Sequence, residues 1–185
     1  MNITVIGRGR VGGAGRGLAQ MWTAAGHTVT TLDRDGGDAA GADVIIVAVP
    51  ASAIAEALGK VTGLAGQVTI DTCNVFYGRP EGFSSLARHI KAITGGPTAK
   101  AFSTNFAALY GCVRHQLARP SNLFAADPKA RTVTEQLSRD AGNDPVYVGF
   151  LDLGARLLED GFAFTRAIAG DQGPCFSRYT GPEGL

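Results

Sequence analysis

The chain has no apolar run long enough to span a bilayer, since no stretch of about 18 consecutive apolar residues occurs. It also has almost no net charge: 17 basic residues balance 16 acidic ones, leaving +1. A chain so balanced casts no long-range field toward nucleic acid or an anionic membrane, and neither is expected as a partner. Cysteine is scarce as well. Cys73, Cys112 and Cys175 are odd in number and scattered, with no CxxC pair and no Cys/His metal spacing. That usage suits a reducing compartment. Cys112 and Cys175 are expected as small buried residues, whereas Cys73 falls at a strand end. The first residues, Met-Asn-Ile-Thr-Val-Ile-Gly, carry no basic stretch and run directly into an apolar segment. They do not read as a signal peptide, and the expected location is the cytoplasm.

Glycine is what the chain has in excess, 26 of 185 residues. There is no G-X-Y period, so the glycines belong to tight turns and close backbone approaches rather than to a collagen helix. The length suits one domain over residues 1–185, with a helical tail from about residue 150. It leaves no room for a dinucleotide-binding half followed by a full helical substrate domain.

Apolar periodicity changes along the chain in a regular way. Ile3, Val5 and Ile6 form a short strand that stops at Gly7. Val11, Ala14, Leu18, Met21, Trp22 and Ala25 then recur at three and four residues, a helix that Gly26 ends. Further strands are expected at 28–32, 44–49, 67–71, 98–102, 122–126 and 145–148, and helices at 51–60 and 84–93. Asp127 and Pro128 supply an N-cap and first position for another helix, which Gly142 ends. The glycine-rich segment 34–43 is too short for a helix and is expected as a turn. Near the end, Leu153, Leu157, Phe164 and Ile168 mark one face of a last helix. Alternating strands and helices predict an α/β fold: a single Rossmann-like, doubly wound, mainly parallel sheet with a C-terminal helix.

Gly7-Arg8-Gly9-Arg10-Val11-Gly12 is a G-x-G-x-x-G that leaves the first strand and opens the first helix. In that context Gly7 permits the turn, Gly9 lets a pyrophosphate approach the backbone and Gly12 lets helix and strand pack closely. Helix-start N–H groups then face the phosphates. After the second strand come Asp33 and Arg34. A carboxylate there suits the ribose diol of NAD, and an arginine suits the 2′-phosphate of NADP. Ligands of an open parallel sheet lie beyond its carboxyl ends, which here are Val49-Pro50, Thr72-Cys73-Asn74 and Phe102-Ser103-Thr104-Asn105. Asn74 and Asn105 are candidates to orient a carboxamide or carbonyl, Phe102 to wall a ring, and Val49, Pro50 and Ser103 to line the nicotinamide side.

The segments ITVIGRGRVG, GRGLAQMWTAAGHTVT, VIIVAVPASAIAEAL, VTIDTCN, GGPTAKAFSTNFA and SNLFAADPKA…AGNDPVYVG resemble the coenzyme F420-dependent NADP oxidoreductase family, from Met1 to at least Gly149. The resemblance is to short bacterial members. It implies hydride transfer between NADPH and a second partner, the deazaflavin F420 in the best-known members. It also implies a Ser/Thr-Arg pair on the 2′-phosphate, matched here by Asp33-Arg34, so that NAD competes with NADP as the expected cofactor. Where the family has a His-Thr-Ile-like stretch facing the deazaflavin, this chain has Phe102-Ser103-Thr104-Asn105. Gly13-Ala14-Gly15 looks like about three extra residues, which either lengthen the first helix or bulge the loop.

No acid–base pair stands out. The residues four after Tyr77, Tyr110 and Tyr147 are Glu81, Arg114 and Leu151, not lysine, and no G-x-S-x-G elbow occurs. His27, His89 and His115 read as surface residues. Transfer between two bound rings needs orientation rather than a proton shuttle. The expected function is therefore an NAD(P)-dependent oxidoreductase. Its acceptor is F420 or a small imine or carbonyl metabolite, the latter needing a donor such as Tyr77 or water. The alternative is a dinucleotide-binding sensor or accessory protein without turnover. The tail helix, with Phe162, Phe164 and the Gly173-Pro174-Cys175-Phe176 turn, is expected to cover the site or to support a homodimer.

Overall fold

The computed structural model describes residues 1–7, 13–76 and 78–184. In chain order the elements are β1 (Asn2–Ile6), α1 (Ala14–Ala24), β2 (Thr28–Leu32), β3 (Gly37–Asp38), β4 (Val44–Val47), a 3-10 turn (Ala51–Ala53), α2 (Ile54–Gly59), β5 (Val61–Thr62) and β6 (Val68–Asp71). There follow α3 (Leu86–Thr94), β7 (Thr98–Lys100), a long 3-10 segment (Ala107–His115), β8 (Ser121–Ala126), α4 (Pro128–Asp140), β9 (Asp144–Tyr147), α5 (Leu151–Gln172) and a last 3-10 turn (Pro182–Gly184).

Seven strands form one sheet in the order β2-β1-β4-β6-β7-β8-β9, while β3 and β5 pair apart from it. The doubly wound, mainly parallel architecture expected from the sequence is present. β8 is the exception, running antiparallel to β7. A parallel neighbour needs a crossover that covers a face of the sheet. The chain after β7 instead stays at the carboxyl edge, where Ala107–His115 packs on α1, and then turns straight back. β7 is also shorter than expected, because Phe102 takes a left-handed φ of 57° and ends it.

Both faces of the sheet are apolar, as central parallel strands require. On one, Val5, Ile46, Ile70 and Phe124 pack with Leu18 and Trp22 of α1 and with Leu137 of α4. Trp22 is wholly buried and donates its indole N–H to the Leu137 carbonyl at 2.9 Å. On the other, Ile45 and Val47 meet Ile54 and Leu58 of α2 and Leu86 and Ile90 of α3. Ser85 caps α3 by accepting the Arg88 N–H at 3.2 Å.

Two local expectations are corrected, and α5 presents its apolar face outward. Asp127 stands at the N-cap of α4, but its carboxylate makes no cap bond. It accepts from Lys91 Nζ at 2.7 Å and from the Thr98 N–H at 2.8 Å, tying α4 to α3 and β7. Cys112 is exposed and Cys175 half-buried, while Cys73 is the buried one. The face Leu153-Leu157-Phe164-Ile168 of α5 does not pack on the sheet. Leu151, Ala155, Leu158, Glu159 and Phe162 do, and Leu153, Leu157 and Phe164 face outward.

Candidate dinucleotide site

The carboxyl ends of β1, β2 and β4 lie side by side, and the chain leaves each at a cavity of about 720 Å³. Gly7, Ala48, Val49 and Pro50 form its floor. Asp33, Arg34 and Asp35 close one end, and Ala53, Glu56, Ala57 and Lys60 of the α2 region form the opposite wall. Gly7 sits at φ 111°, with its N–H on the Leu32 carbonyl at 2.9 Å. A Cβ at Gly7 would lie 2.3 Å from the Ala48 carbonyl oxygen, so no other residue fits there. Gly15 is equally constrained, because its Cβ would lie 2.2 Å from the Gly7 carbonyl oxygen. Gly15 thus brings helix close to strand, while Gly12, to which the sequence reading gives that role, lies outside the described residues. Arg8, Gly9, Arg10, Val11 and Gly12 lie outside the described residues, as does Tyr77. Of the Gly13-Ala14-Gly15 insertion, Gly13 is the N-cap and the other two belong to α1, so α1 begins later than the glycine motif suggests.

Asp33 and Arg34 both reach this cavity. The Asp33 carboxylate accepts the Asp35 N–H at 3.0 Å, which shapes the turn. The Arg34 side chain is 94% exposed and stands 3.9 Å from Asp35. Lys60, absent from the sequence-based candidates, donates to the Arg34 carbonyl at 3.1 Å and to Glu56 at 2.6 Å. It joins the turn after β2 to α2, a contact between residues 26 apart in sequence.

The ends of β6 and β7 form the next part of the edge. Asn74 donates from Nδ2 to the Ser103 carbonyl at 3.1 Å, clasping the two strand-end loops together. Among the described residues, the Asn74 Oδ1, Ser103 Oγ and Thr104 Oγ1 atoms are buried without a hydrogen-bond partner. Buried polar atoms normally find one, and here three orphans fall on two adjoining loops at the carboxyl edge. The side chains of Phe102 and Asn105 are engaged with the protein itself. The Phe102 ring is buried edge-on against Trp22, with centroids 5.5 Å apart. Its left-handed backbone is held by Asn122 Oδ1, which accepts its N–H at 2.8 Å, and by the Tyr110 hydroxyl, which donates to its carbonyl at 2.7 Å. Burial drives the Tyr110 phenol well above its ordinary pKa, so it stays a donor. Asn105 uses both ends of its amide on protein, donating to the Ser121 carbonyl at 2.8 Å and accepting the Ser177 N–H at 3.2 Å. It therefore anchors the C-terminal tail beside the carboxyl edge.

Beneath the loops lies a buried charge network that the sequence did not reveal. Lys100, wholly buried, donates to Asp71 at 3.0 Å and to the Cys73 carbonyl. Asp71 accepts the Cys73 N–H at 2.7 Å. From α5, Glu159 accepts the Leu86 N–H at 2.7 Å and pairs with Arg79 at 2.6 Å. Burial raises the Glu159 pKa, with Lys100 opposing and Asp71 reinforcing the shift. Cys73 is also pushed up by burial, and it donates weakly to the Val47 carbonyl at 3.5 Å, so it is no nucleophile.

A second cavity of about 420 Å³ shares Pro50 with the first and lies beside Ala51, Ser52, Phe76, Arg79 and His89. His89, read from sequence as a surface residue, is half-buried with its ring 4.7 Å from Phe83, and its Nδ1 finds no partner among the described residues. Periodicity along α3 gave no sign of this, because the cavity arises from the packing of separate segments. Among the described residues no cluster of His, Cys, Asp and Glu could hold a metal, and no helix is long and apolar enough to cross a membrane.

No protein-family model matches the chain, and no curated protein matches it. Solved structures do. A candidate F420-dependent NADP reductase from Arthrobacter sp. FB24 superposes with a TM-score of 0.79 at 20% identity, covering 97% of this chain and 100% of that one. A hypothetical protein from Sinorhizobium meliloti gives 0.67 at 24% identity, covering 83% of this chain and 88% of that one. The reductive aminase from Aspergillus terreus, solved with NADPH and ethyl levulinate, gives 0.63 at 18% identity over 91% of this chain. This chain spans 61% of that protein's length. The fold is therefore Rossmann-like. The first of these proteins bears the description that the sequence motifs led us to expect.

Proposed function

We propose that the chain is an NAD(P)-dependent oxidoreductase that acts on a second bound small molecule. The observation that carries this reading is the cavity of about 720 Å³ joining Gly7, Val49-Pro50 and Asp33-Arg34 at the carboxyl ends of three adjacent strands. The residues fit a dinucleotide. Gly7 turns the chain sharply out of β1 at the cavity and Gly15 lets α1 seat directly on that turn, and the orphaned atoms of Asn74, Ser103 and Thr104 await polar partners. A bound nicotinamide would supply or accept the hydride.

The residues of the chain divide the remaining work. Arg34, beside Lys60, offers cations to a 2′-phosphate, which favours NADP. Asp33 favours the free diol of NAD, and this second reading rests on that carboxylate alone. Val49 and Pro50 offer apolar surface to the middle of the cavity. Asn74 Oδ1 accepts from a carboxamide N–H, and the Ser103 and Thr104 hydroxyls donate to an oxygen. The second cavity, reached across Pro50, suits the acceptor: Phe76 offers a ring face, and Arg79 and His89 offer polar contact. A deazaflavin such as F420 and a smaller imine or carbonyl compound both meet that description. We infer as well that the chain works as a homodimer in the cytoplasm.

Isothermal titration with NADPH and NADH tests the first step, and absence of binding to both overturns the reading. Oxidation of the bound reduced cofactor, followed by absorbance with F420 and with a panel of imines and carbonyls, tests the second. Tight binding with no turnover on any acceptor would favour the alternative, a sensor or accessory protein.

A further inference from the structure

α5 carries two apolar faces, and only one of them is covered. Phe150, Leu153, Leu157 and Phe164 are exposed by 69, 69, 53 and 67%, although α5 packs its other side firmly on β7, β8 and α3. At about 100° per residue, Leu153, Leu157, Phe164 and Ile168 fall within about 60° of one another, a single narrow stripe. Their separations are four, seven and four residues. That spacing is a palindrome centred between Asp160 and Gly161. A palindromic stripe coincides with itself when the helix is reversed, which is what a two-fold axis between antiparallel helices demands.

We propose that this outer face of α5 is a self-association surface that takes the α5 of a second copy of this chain, antiparallel. In that register Leu153 of one copy meets Ile168 of the other, and Leu157 meets Phe164. Gly161 lies at the crossing. A Cβ there would meet nothing within 4 Å in one copy, so the glycine keeps open space on the outer side, where helix backbones approach closely. Phe150, Leu153, Leu157 and Phe164, each half to about two-thirds exposed, together offer about 500 Å² per copy, beside the half-buried Ile168. Two copies then bury about 1,000 Å², near the lower bound for a specific interface.

The surface deepens the inference that the chain is a homodimer and is independent of the dinucleotide reading. Sedimentation velocity and light scattering of the full chain test it, with Leu157→Lys, Phe164→Asp and the two combined. The wild type is expected as a dimer at micromolar concentration. Each single variant buries an unpaired charge and should raise the dissociation constant at least a hundredfold. The combined variant places lysine opposite aspartate twice and should recover most of the dimer, which only this register allows. Circular dichroism should show all three variants folded, since both positions are more than half exposed. A monomeric wild type overturns the proposal, whether or not it then sediments with neutral lipid vesicles. A dimer indifferent to the single variants, or one that the combined variant fails to recover, overturns it as well. Titration of the same variants with NADPH keeps the two readings apart, because loss of the dimer should leave the dinucleotide affinity within about twofold.

Discussion

Gly15 stands so close to Gly7 that a Cβ on it would lie 2.2 Å from the Gly7 carbonyl oxygen. The obstacle is backbone, fixed by the bond from the Gly7 N–H to Leu32, and it has nowhere to move. Gly15→Ala should therefore destabilise the fold by about 2–3 kcal/mol in urea unfolding. Gly170→Ala, where the added Cβ meets nothing, should instead gain about 0.5–1 kcal/mol from helix propensity. Equal effects at the two sites would show that α1 is not seated on β1 as described. If the fold survives Gly15→Ala at low temperature, dinucleotide affinity should fall with it, since the helix start is displaced from the floor of the cavity.

Asp33 and Arg34 make opposite demands on the same ribose. Asp33→Ser removes a carboxylate that repels a phosphate and should raise the NADPH:NADH affinity ratio about tenfold, or about 1.4 kcal/mol. Arg34→Ala should lower that ratio by a similar factor and leave NADH almost unchanged. Fluorescence titration of the reduced cofactors reads both. An unchanged ratio in both variants would mean that the turn after β2 does not read the 2′ position.

Lys100 and Asp71 are partners wholly inside the protein, 29 residues apart in sequence. Lys100→Met leaves Asp71 buried without its cation and should cost about 3–5 kcal/mol. The double variant with Asp71→Asn should recover part of that loss, because no uncompensated charge remains. Additive losses would argue against direct pairing.

The order of strands and helices was legible because it is written in short-range periodicity. So was the cavity floor, since Gly7 and Pro50 announce backbone constraints by residue type alone. The Lys100–Asp71–Glu159 network was not, because its partners come from β7, β6 and α5 and no local pattern links them. Phe102 misled for a different reason. Its place at a strand end is as expected, but a left-handed φ turns the ring inward against Trp22. On α5 periodicity found a true apolar face but the outer one. The inner face includes Gly154, Ala155, Glu159 and Thr165, residues too small or too polar to register as a stripe.

Glu159 gives the network a pH signature. Burial raises its pKa in the folded state above the ordinary value of 4.5. Its contribution to stability is then fully present below that ordinary value and declines as pH rises through the raised folded one. Glu159→Gln cannot titrate. The difference in melting temperature, wild type minus variant, should shrink as pH is raised from 4.5 toward neutrality. A difference that grows over that interval would mean that Arg79, paired at 2.6 Å, outweighs burial.

Ser103 and Thr104 separate stability from binding. Their hydroxyls are buried and find no partner among the described residues, so each carries a desolvation cost that no hydrogen bond there offsets. Ser103→Ala and Thr104→Val remove that cost and keep the volume nearly constant. Each should raise the melting temperature of the free protein, by the equivalent of about 1 kcal/mol. If the orphaned hydroxyls exist to meet a dinucleotide, the same variants should weaken NADPH binding about tenfold, again about 1.4 kcal/mol. The opposite signs matter, because a merely structural hydroxyl would lower stability when removed and leave affinity alone. Differential scanning fluorimetry with and without NADPH reads both quantities in one series: a higher baseline transition and a smaller ligand-induced shift are expected together. A higher baseline with an undiminished shift would move the nicotinamide end of the site away from β7.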